Sequence, residues 1–166
     1  SYYKEHGGYV IAAAINKYVY VTVMRPFSPG IYLKYSELEQ VDRAEQIRHP
    51  IIREALQLMN LGTGQIEITT LADIPSGTGL GSSGSFTTAL LRALYAYQRG
   101  SLHPKELAEM ACDIEIDRLG EPIGKQDQYV AAYGGITCFN FNPDDTVTAE
   151  PLSISSKTLH DLEDNL

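Results

Sequence analysis

The sequence predicts an α+β domain, because its strand and helix patterns do not alternate strictly. Two apolar segments near the start, 9–15 and 18–24, are rich in aromatic and β-branched residues, which is typical of strands. The segment 65–71 alternates polar and apolar residues with a period of two, as a half-buried strand does. Two helical patterns, 86–97 and 104–119, then follow one another without a strand between them. A sheet built from βαβ units would need that strand.

The remaining patterns complete a set of short elements. They predict a strand at 31–35, a helix at 50–60, and two strands at 136–141 and 146–152. Pro50 fits the first turn of the helix and Gly62 lies just past its end. The polar stretches 36–48 and 153–166 are predicted as a surface excursion and as a tail.

Composition excludes several classes of protein. The 166 residues suit one domain, and 43% hydrophobic against 20% charged residues allow a sizeable core. The net charge of −8, without a basic cluster, argues against binding to a nucleic-acid backbone. No apolar run reaches the roughly 18 residues of a membrane span, and the first residues do not resemble a secretory signal. We therefore expect a cytoplasmic protein with no nucleic-acid or membrane partner.

The cysteines and histidines are isolated in the sequence. Cys112 and Cys138 lack the paired spacing of a zinc site or a disulfide framework. Each histidine is predicted to lie at the surface or to cap a helix; they are His6, His49, His103 and His160.

The sharpest feature is a glycine-rich loop between the strand at 65–71 and the helix that follows. Its sequence is Pro75-Ser76-Gly77-Thr78-Gly79-Leu80-Gly81-Ser82-Ser83-Gly84. Glycines at alternate positions let backbone N–H groups surround an anion, and the helix N-terminus adds about half a positive charge. Phosphate is the expected ligand. Ser82 and Ser83 either cap the helix or offer a hydroxyl to a phosphate-bound Mg²⁺ ion, and the sequence leaves both interpretations open.

Three other loop motifs fit less well. A Walker loop requires a lysine where Ser85 follows Gly84. Gly79-x-Gly81-x-x-Gly84 matches the dinucleotide fingerprint of oxidoreductases, but that motif requires a strand after its helix. The Gly-x-Ser-x-Gly turn of a serine hydrolase is absent from the sequence.

One acidic residue of the second helical pattern is predicted to point inward. Four others share a solvent-facing side of the helix: Glu106, Glu109, Asp113 and Asp117. Glu115 falls instead among the apolar positions, where a carboxylate is costly unless a cation or hydrogen-bond donors meet it. Glu115 is therefore a candidate Mg²⁺ ligand, or else a boundary residue whose carboxylate reaches water.

A second carboxylate, Asp127, lies in the glycine-punctuated segment 120–129. It either caps a helix or accepts a proton from a substrate hydroxyl, with Lys125 nearby to keep it ionised.

Together these residues resemble the GHMP kinases, the superfamily of galacto-, homoserine, mevalonate and phosphomevalonate kinases. The segment 75–85 resembles the second motif of that family. Glu115 and Asp127, twelve residues apart, and Gly124-x-x-Asp127-Gln128 resemble its sugar-kinase branch. Four further segments resemble the heptose 7-phosphate kinases of that branch most: Glu5-His6-Gly7-Gly8, Ala14-Ile15-Asn16-Lys17-Tyr18, Ser83-Gly84-Ser85-Phe86-Thr87 and Gly134-Gly135.

The resemblance implies a ribosomal protein S5 domain 2-like fold, ATP and Mg²⁺ as cofactors, and a sugar as substrate. It implies a nucleotide site formed by Pro75, Gly77, Thr78, Gly79, Leu80, Gly81, Ser82, Ser83 and Gly84. Ser82 or Ser83 with Glu115 would hold Mg²⁺, and Asp127 would be the base toward the acceptor. The implied reaction is phosphorylation of a sugar hydroxyl, most specifically the anomeric hydroxyl of a heptose 7-phosphate. The alternatives are a fucose- or galactose-type kinase, an NAD-dependent oxidoreductase, and a nucleotide-binding domain without chemistry.

The resemblance also has two gaps. The first family motif, expected just before the start of the chain, and the glycine-rich third motif, expected after its end, are both missing. We therefore expect 1–152 to be an N-terminal, nucleotide-binding domain and 153–166 to lead to a C-terminal domain. Alone, such a chain should be a poor catalyst, with an apolar patch that favours self-association.

Overall fold

A computed structural model describes residues 3–75 and 77–165, and within them the predicted α+β class is confirmed. The chain forms two compact units, one of the residues up to Ile15 with those from Gly134 onward, the other of Asn16–Tyr133. Among the described residues, no helix has the length and hydropathy of a membrane span.

The helices are α1 (Tyr3–His6), α2 (Pro50–Leu58), α3 (Ser82–Tyr97), α4 (Pro104–Cys112), α5 (Gln126–Tyr133) and α6 (Ser156–Glu163). The strands are β1 (Gly8–Ala13), β2 (Val19–Met24), β3 (Gly30–Lys34), β4 (Leu38–Val41), β5 (Gln65–Ala72), β6 (Ile136–Phe141) and β7 (Val147–Pro151).

The larger unit contains a four-stranded sheet in the order β2-β5-β3-β4. Strand β5 pairs antiparallel with β2 and parallel with β3, and β3 pairs antiparallel with β4. The predicted alternation of β5 is confirmed, since Ile66 and Ile68 are buried between half-buried neighbours. Helix α3 packs against this sheet through contacts with β2. Its fully buried leucines are Leu90, Leu91 and Leu94.

Three helices of the larger unit pack against one another and position the polar residues discussed below. Helix α5 contacts both α3 and α4. Its buried residues Gln128, Tyr129 and Ala132 recur at the spacing of one helical face. The N-terminus of α5 therefore lies beside the N-terminus of α3, immediately after the glycine-rich loop.

The smaller unit contains an antiparallel sheet in the order β1-β6-β7, with Ile11 opposite Cys138. Tyr3 packs on Phe141 with ring centroids 5.8 Å apart, and its hydroxyl donates to Asp145 at 2.8 Å.

The structure corrects three sequence-based expectations. The stretch 36–48 is not a simple surface excursion, because it contains β4, a 3₁₀ turn at Ala44–Gln46 and the buried residue Glu39. The second helical pattern changes after Cys112 into a π-helix, Asp113–Arg118. The polar tail forms α6, which has no buried residue. The domain bounds predicted at 1–152 and 153–166 stay a prediction.

Candidate functional site

The glycine-rich loop joins β5 to α3 through three left-handed residues. Gly77, Gly79 and Gly81 have φ angles of +81°, +76° and +70°. Nothing lies within 4 Å of a Cβ added at Gly77 or Gly79, so their requirement for glycine is conformational. Three other residues of this loop are exposed: Pro75, Thr78 and Leu80. Alternate left-handed residues favour an anion-binding concavity of backbone N–H groups. Ser76 lies outside the described residues.

Helix α3 begins without a side-chain cap. Gly81 is the N-cap residue and makes no capping hydrogen bond. Its carbonyl accepts the first helical bond, from the N–H of Ser85 at 3.0 Å. Of the two roles open to Ser82 and Ser83, N-capping is therefore not adopted. The first-turn N–H groups remain available to an anion, which the helix dipole also favours.

The hydroxyl of Ser83 donates a hydrogen bond to a buried carboxylate. Its Oγ lies 2.6 Å from Oε2 of Glu115, which is only 1% exposed. The predicted inward orientation of Glu115 is thus confirmed. The other carboxylate oxygen, Oε1, is buried and has no hydrogen-bond partner among the described residues. The π-helical turn that carries Glu115 is closed by a wide bond from the N–H of Leu119 to the carbonyl of Ile114, at 3.0 Å.

The Ser83–Glu115 pair fits a Mg²⁺ ion that also binds phosphates. Mg²⁺ prefers hard oxygen ligands and is usually held by one or two carboxylates together with substrate phosphates. The partnerless Oε1 of Glu115 is a hard oxygen of this kind, and it lies beside a hydroxyl at a helix N-terminus. No three His, Cys, Asp or Glu side chains of the described residues group into a preformed metal centre. The ion would therefore depend on the phosphates for the rest of its ligands.

Asp127 lies against the same helix N-terminus. A Cβ added at Gly81 would be 3.3 Å from its Cγ, and one added at Gly84 would be 3.0 Å from its Cβ. The second contact also involves backbone atoms, the carbonyl carbon of Asp127 and the nitrogen of Gln128, both at 3.0 Å. Asp127 is exposed and is the second residue of α5, so it is not the residue that precedes the helix. The structure thus brings the loop, Ser83, Glu115 and Asp127 together.

The dinucleotide interpretation loses its structural basis. Helix α3 leads to α4 and not to a strand that pairs with β5, so the βαβ unit that this fingerprint needs does not form in the described residues.

Sequence reasoning missed Gln128, which follows Asp127. Its side chain is 1% exposed, and neither its amide oxygen nor its amide nitrogen has a hydrogen-bond partner among the described residues. A glutamine in a polar loop gives no signal of burial. The helical spacing to Tyr129 and Ala132 could have provided one.

A half-buried histidine was also missed. The ring of His49 lies 5.0 Å from those of Tyr35 and Phe86, and Phe86 belongs to α3. Burial lowers the pKa of His49, and the charge of Glu39 opposes this shift. Burial and the hydrogen bond to Glu39 raise the pKa of Tyr35 to about 12. Burial would raise the pKa of Glu39 itself, but bonds from the Arg48 N–H and the Tyr35 hydroxyl outweigh it and lower that pKa. His49 is the N-cap residue of α2, one of the two positions predicted for the histidines, but its ring is half-buried and makes no capping hydrogen bond. The side chain of His103 does cap α4.

Comparison with known proteins gives consistent matches. The family model described as GHMP kinases N terminal domain matches residues 50–135. D-glycero-alpha-D-manno-heptose 7-phosphate kinase of Campylobacter jejuni is 27% identical over 98% of this chain and 51% of its own length. Mevalonate kinase of Archaeoglobus fulgidus is 31% identical over 81% of this chain and 46% of its own. The crystal structure of a D-glycero-D-manno-heptose 1-phosphate kinase from Bacteroides thetaiotaomicron superposes with a TM-score of 0.87 at 29% identity, covering 98% of this chain and 56% of that one. The chain spans about half the length of these relatives.

Proposed function

The chain belongs to the GHMP kinase family through its N-terminal domain, and on that premise we propose that it carries the nucleotide-binding and catalytic residues of an ATP-dependent sugar kinase. One observation carries the proposal. Within Asn16–Tyr133, Ser83 in the first turn of α3 is hydrogen-bonded to the buried Glu115, and Asp127 lies against Gly81 and Gly84 at the same helix start. An anion site, a hard metal ligand and a proton acceptor at one point are the groups that phosphoryl transfer needs.

The loop and the first turn of α3 would bind the ATP phosphates. Backbone N–H groups from Gly77 to Gly84 supply donors without any lysine, and the α3 dipole adds to their field. Glu115 and Ser83 would hold Mg²⁺ together with phosphate oxygens, and the bound ion would neutralise charge that develops on the transferred group. Ser82, half-buried at the first helical position, is the second candidate hydroxyl.

Asp127 would orient and deprotonate the acceptor. The acceptor oxygen forms a bond to the γ-phosphorus while the bond from that phosphorus to the bridging oxygen breaks and ADP leaves with the electron pair. The hydroxyl proton passes to the Asp127 carboxylate. Asp127 lies at the start of α5 beside the start of α3, where both helix dipoles favour a negative charge.

We assign a sugar or sugar phosphate as the acceptor class, and the anomeric hydroxyl of a heptose 7-phosphate as the specific candidate. The names of two relatives that cover 98% of this chain support heptose phosphates. A galactose-type kinase is the second candidate, supported by the galactokinase of Thermotoga maritima at 23% identity over 76% of the chain.

The test is ADP release by the full-length protein with ATP, Mg²⁺ and a panel of free and phosphorylated sugars. We expect activity with heptose 7-phosphate, and we expect Asp127→Asn to lower turnover by about 10² to 10⁴ while nucleotide binding persists, since it removes a positioned proton acceptor. Asp117→Asn, which changes an exposed carboxylate on the π-helix, is the matched control. Wild-type turnover in Asp127→Asn would return Asp127 to a structural role. ATP binding without turnover on any acceptor would favour a domain that only binds nucleotide.

A further inference from the structure

Gln128 carries a buried side-chain amide for which the protein provides no partner. Four buried side-chain polar atoms among the described residues lack a hydrogen bond. One is Nδ1 of His49, and the other three belong to Gln128 and Glu115. A buried polar group without a partner destabilises the folded state, so each such group calls for an explanation.

The segments that carry Gln128 and Glu115 both contact the first turn of α3. The backbone nitrogen of Gln128 is one of the atoms 3.0 Å from a Cβ added at Gly84. Gly84 follows Ser83, whose hydroxyl binds Glu115. The partnerless groups of Gln128 and Glu115 are therefore both on segments that meet the first turn of α3, where the phosphates and Mg²⁺ are assigned.

We propose that Gln128 is a positioning residue for hydrated Mg²⁺, its amide oxygen accepting a hydrogen bond from a water molecule of the ion. This inference rests on the proposed function. Mg²⁺ dehydrates reluctantly and keeps several waters, which are strong donors that need acceptors. Protein groups that hydrogen-bond to the ligands of a metal ion commonly tune the affinity of the site for that metal. The amide oxygen of Gln128 supplies such an acceptor.

A purely structural role makes a different prediction. If the amide were only an imperfectly packed core group, a methionine of similar length would remove its desolvation cost and leave metal binding unchanged. The proposal predicts that the same substitution leaves the folded state as stable or more stable and weakens the use of Mg²⁺. Stability and metal dependence together therefore distinguish the two roles.

The experiment compares Gln128→Met with wild type in the full-length protein, and Gln57→Met, an exposed glutamine on α2, is the matched control. Two quantities are measured: the Tm without nucleotide, and the Mg²⁺ concentration that half-saturates binding of a non-hydrolysable ATP analogue in calorimetry. For Gln128→Met we expect a Tm at or above that of wild type and a half-saturating Mg²⁺ concentration raised about 10-fold. Binding of the analogue in EDTA should not change. An unchanged Mg²⁺ titration, or an equal rise in Gln57→Met, would overturn the inference.

A second variant decides the question if Gln128→Met does not fold. Gln128→Glu keeps the acceptor oxygen and strengthens it, so its half-saturating Mg²⁺ concentration should fall below that of wild type. An unchanged or higher value would overturn the inference. If wild-type protein binds the analogue equally with and without Mg²⁺, both the inference and the metal site of the proposed function fail. If wild type depends on Mg²⁺ and the Gln128 variants match it, only the inference fails.

Discussion

Glu115 is the buried charge around which the candidate site is organised. It is 1% exposed, and the one hydrogen bond described for its carboxylate comes from Ser83 at 2.6 Å. A carboxylate in this position is costly unless more donors or a cation reach it. A bound cation would satisfy the free oxygen.

We expect Glu115→Gln to keep the fold and to weaken the Mg²⁺ dependence of ATP binding. The amide removes a buried charge, so the Tm should not fall, but it also removes a hard oxygen ligand. The half-saturating Mg²⁺ concentration should rise roughly 10-fold or more, since even the loss of a group that hydrogen-bonds to a metal ligand has that effect. Metal titration of ATP binding is the measurement, with the exposed Glu109→Gln as control. Unchanged Mg²⁺ dependence would remove Glu115 from the metal site.

His49 gives the protein a pH-dependent stability. Its folded-state pKa lies below the ordinary value of 6.5, because burial disfavours the charged ring. Below about pH 6.5 the unfolded chain therefore binds a proton that the folded chain does not, and stability falls as the pH falls. We expect His49→Phe to flatten the Tm between about pH 5 and pH 7, while the exposed His160→Asn follows wild type. A Tm profile of His49→Phe identical to that of wild type would contradict this account.

The contact between the starts of α3 and α5 is the element pairing that positions Asp127. Gly84 allows it, because a Cβ there would lie 3.0 Å from backbone atoms of α5, closer than packed atoms normally approach. Gly84, in the first turn of α3, thus also sets the position of the proposed base.

Gly84→Ala should therefore impair catalysis as well as packing. The new methyl group must displace α5, which costs about 1–3 kcal/mol of stability. Its neighbours must move by a few tenths of an ångström. Since a misplacement of about 1 Å can cost 10²-fold in rate, kcat should fall by less than 10²-fold. Kinetics and thermal unfolding of the full-length variant test this, with Gly124→Ala, where nothing lies within 4 Å of the added Cβ, as control. Equal kcat in the two variants would show that the contact is not needed for catalysis.

Local pattern predicted most of the elements but not their contacts. The alternation of polar and apolar residues predicted β5, and the bounds of β6 agree with the strand predicted at 136–141. Helical spacing correctly predicted that Glu115 points inward. The π-helix begins only two residues earlier, at Asp113, so it does not rotate Glu115 away from the apolar face. The π-helix itself left no local signal.

Long-range pairings account for what was missed. The stretch 36–48 was predicted to lie at the surface because the residues that bury it are either distant in the sequence or polar. Glu39 is buried with bonds from Tyr35 and the Arg48 N–H, and His49 meets Phe86 of α3. The approach of Asp127 to Gly81 and Gly84 is likewise a tertiary contact. The resemblance to GHMP kinases, which the family match confirms, implied that these residues share a site. Their spacing in the sequence did not.

The whole chain exposes apolar side chains on one side of its larger sheet. Tyr20 and Leu71 are 52% and 68% exposed and lie opposite each other on β2 and β5. Met24 is on the same side of β2, which is an edge of the described sheet. Exposed apolar strands at an edge favour association.

We expect the isolated 166-residue chain to self-associate in solution. Replacing both Tyr20 and Leu71 by serine should shift it toward the monomer in light scattering, because it removes the apolar pair. Phe27→Ser, which removes a fully exposed ring outside the strands, should change little. A monodisperse wild-type monomer would contradict the prediction.

The stoichiometry of phosphoryl transfer tests the central claim most directly. The full-length protein is incubated with ATP, Mg²⁺ and heptose 7-phosphate, and the phosphorus NMR spectrum of the products is recorded. A site that combines the glycine-rich loop, Glu115 and Asp127 should produce ADP and a new sugar phosphate ester in equimolar amounts. It should produce neither when the sugar is omitted. ADP accompanied by inorganic phosphate and no ester, or no ADP with any sugar of the panel, would contradict the assignment of a sugar kinase.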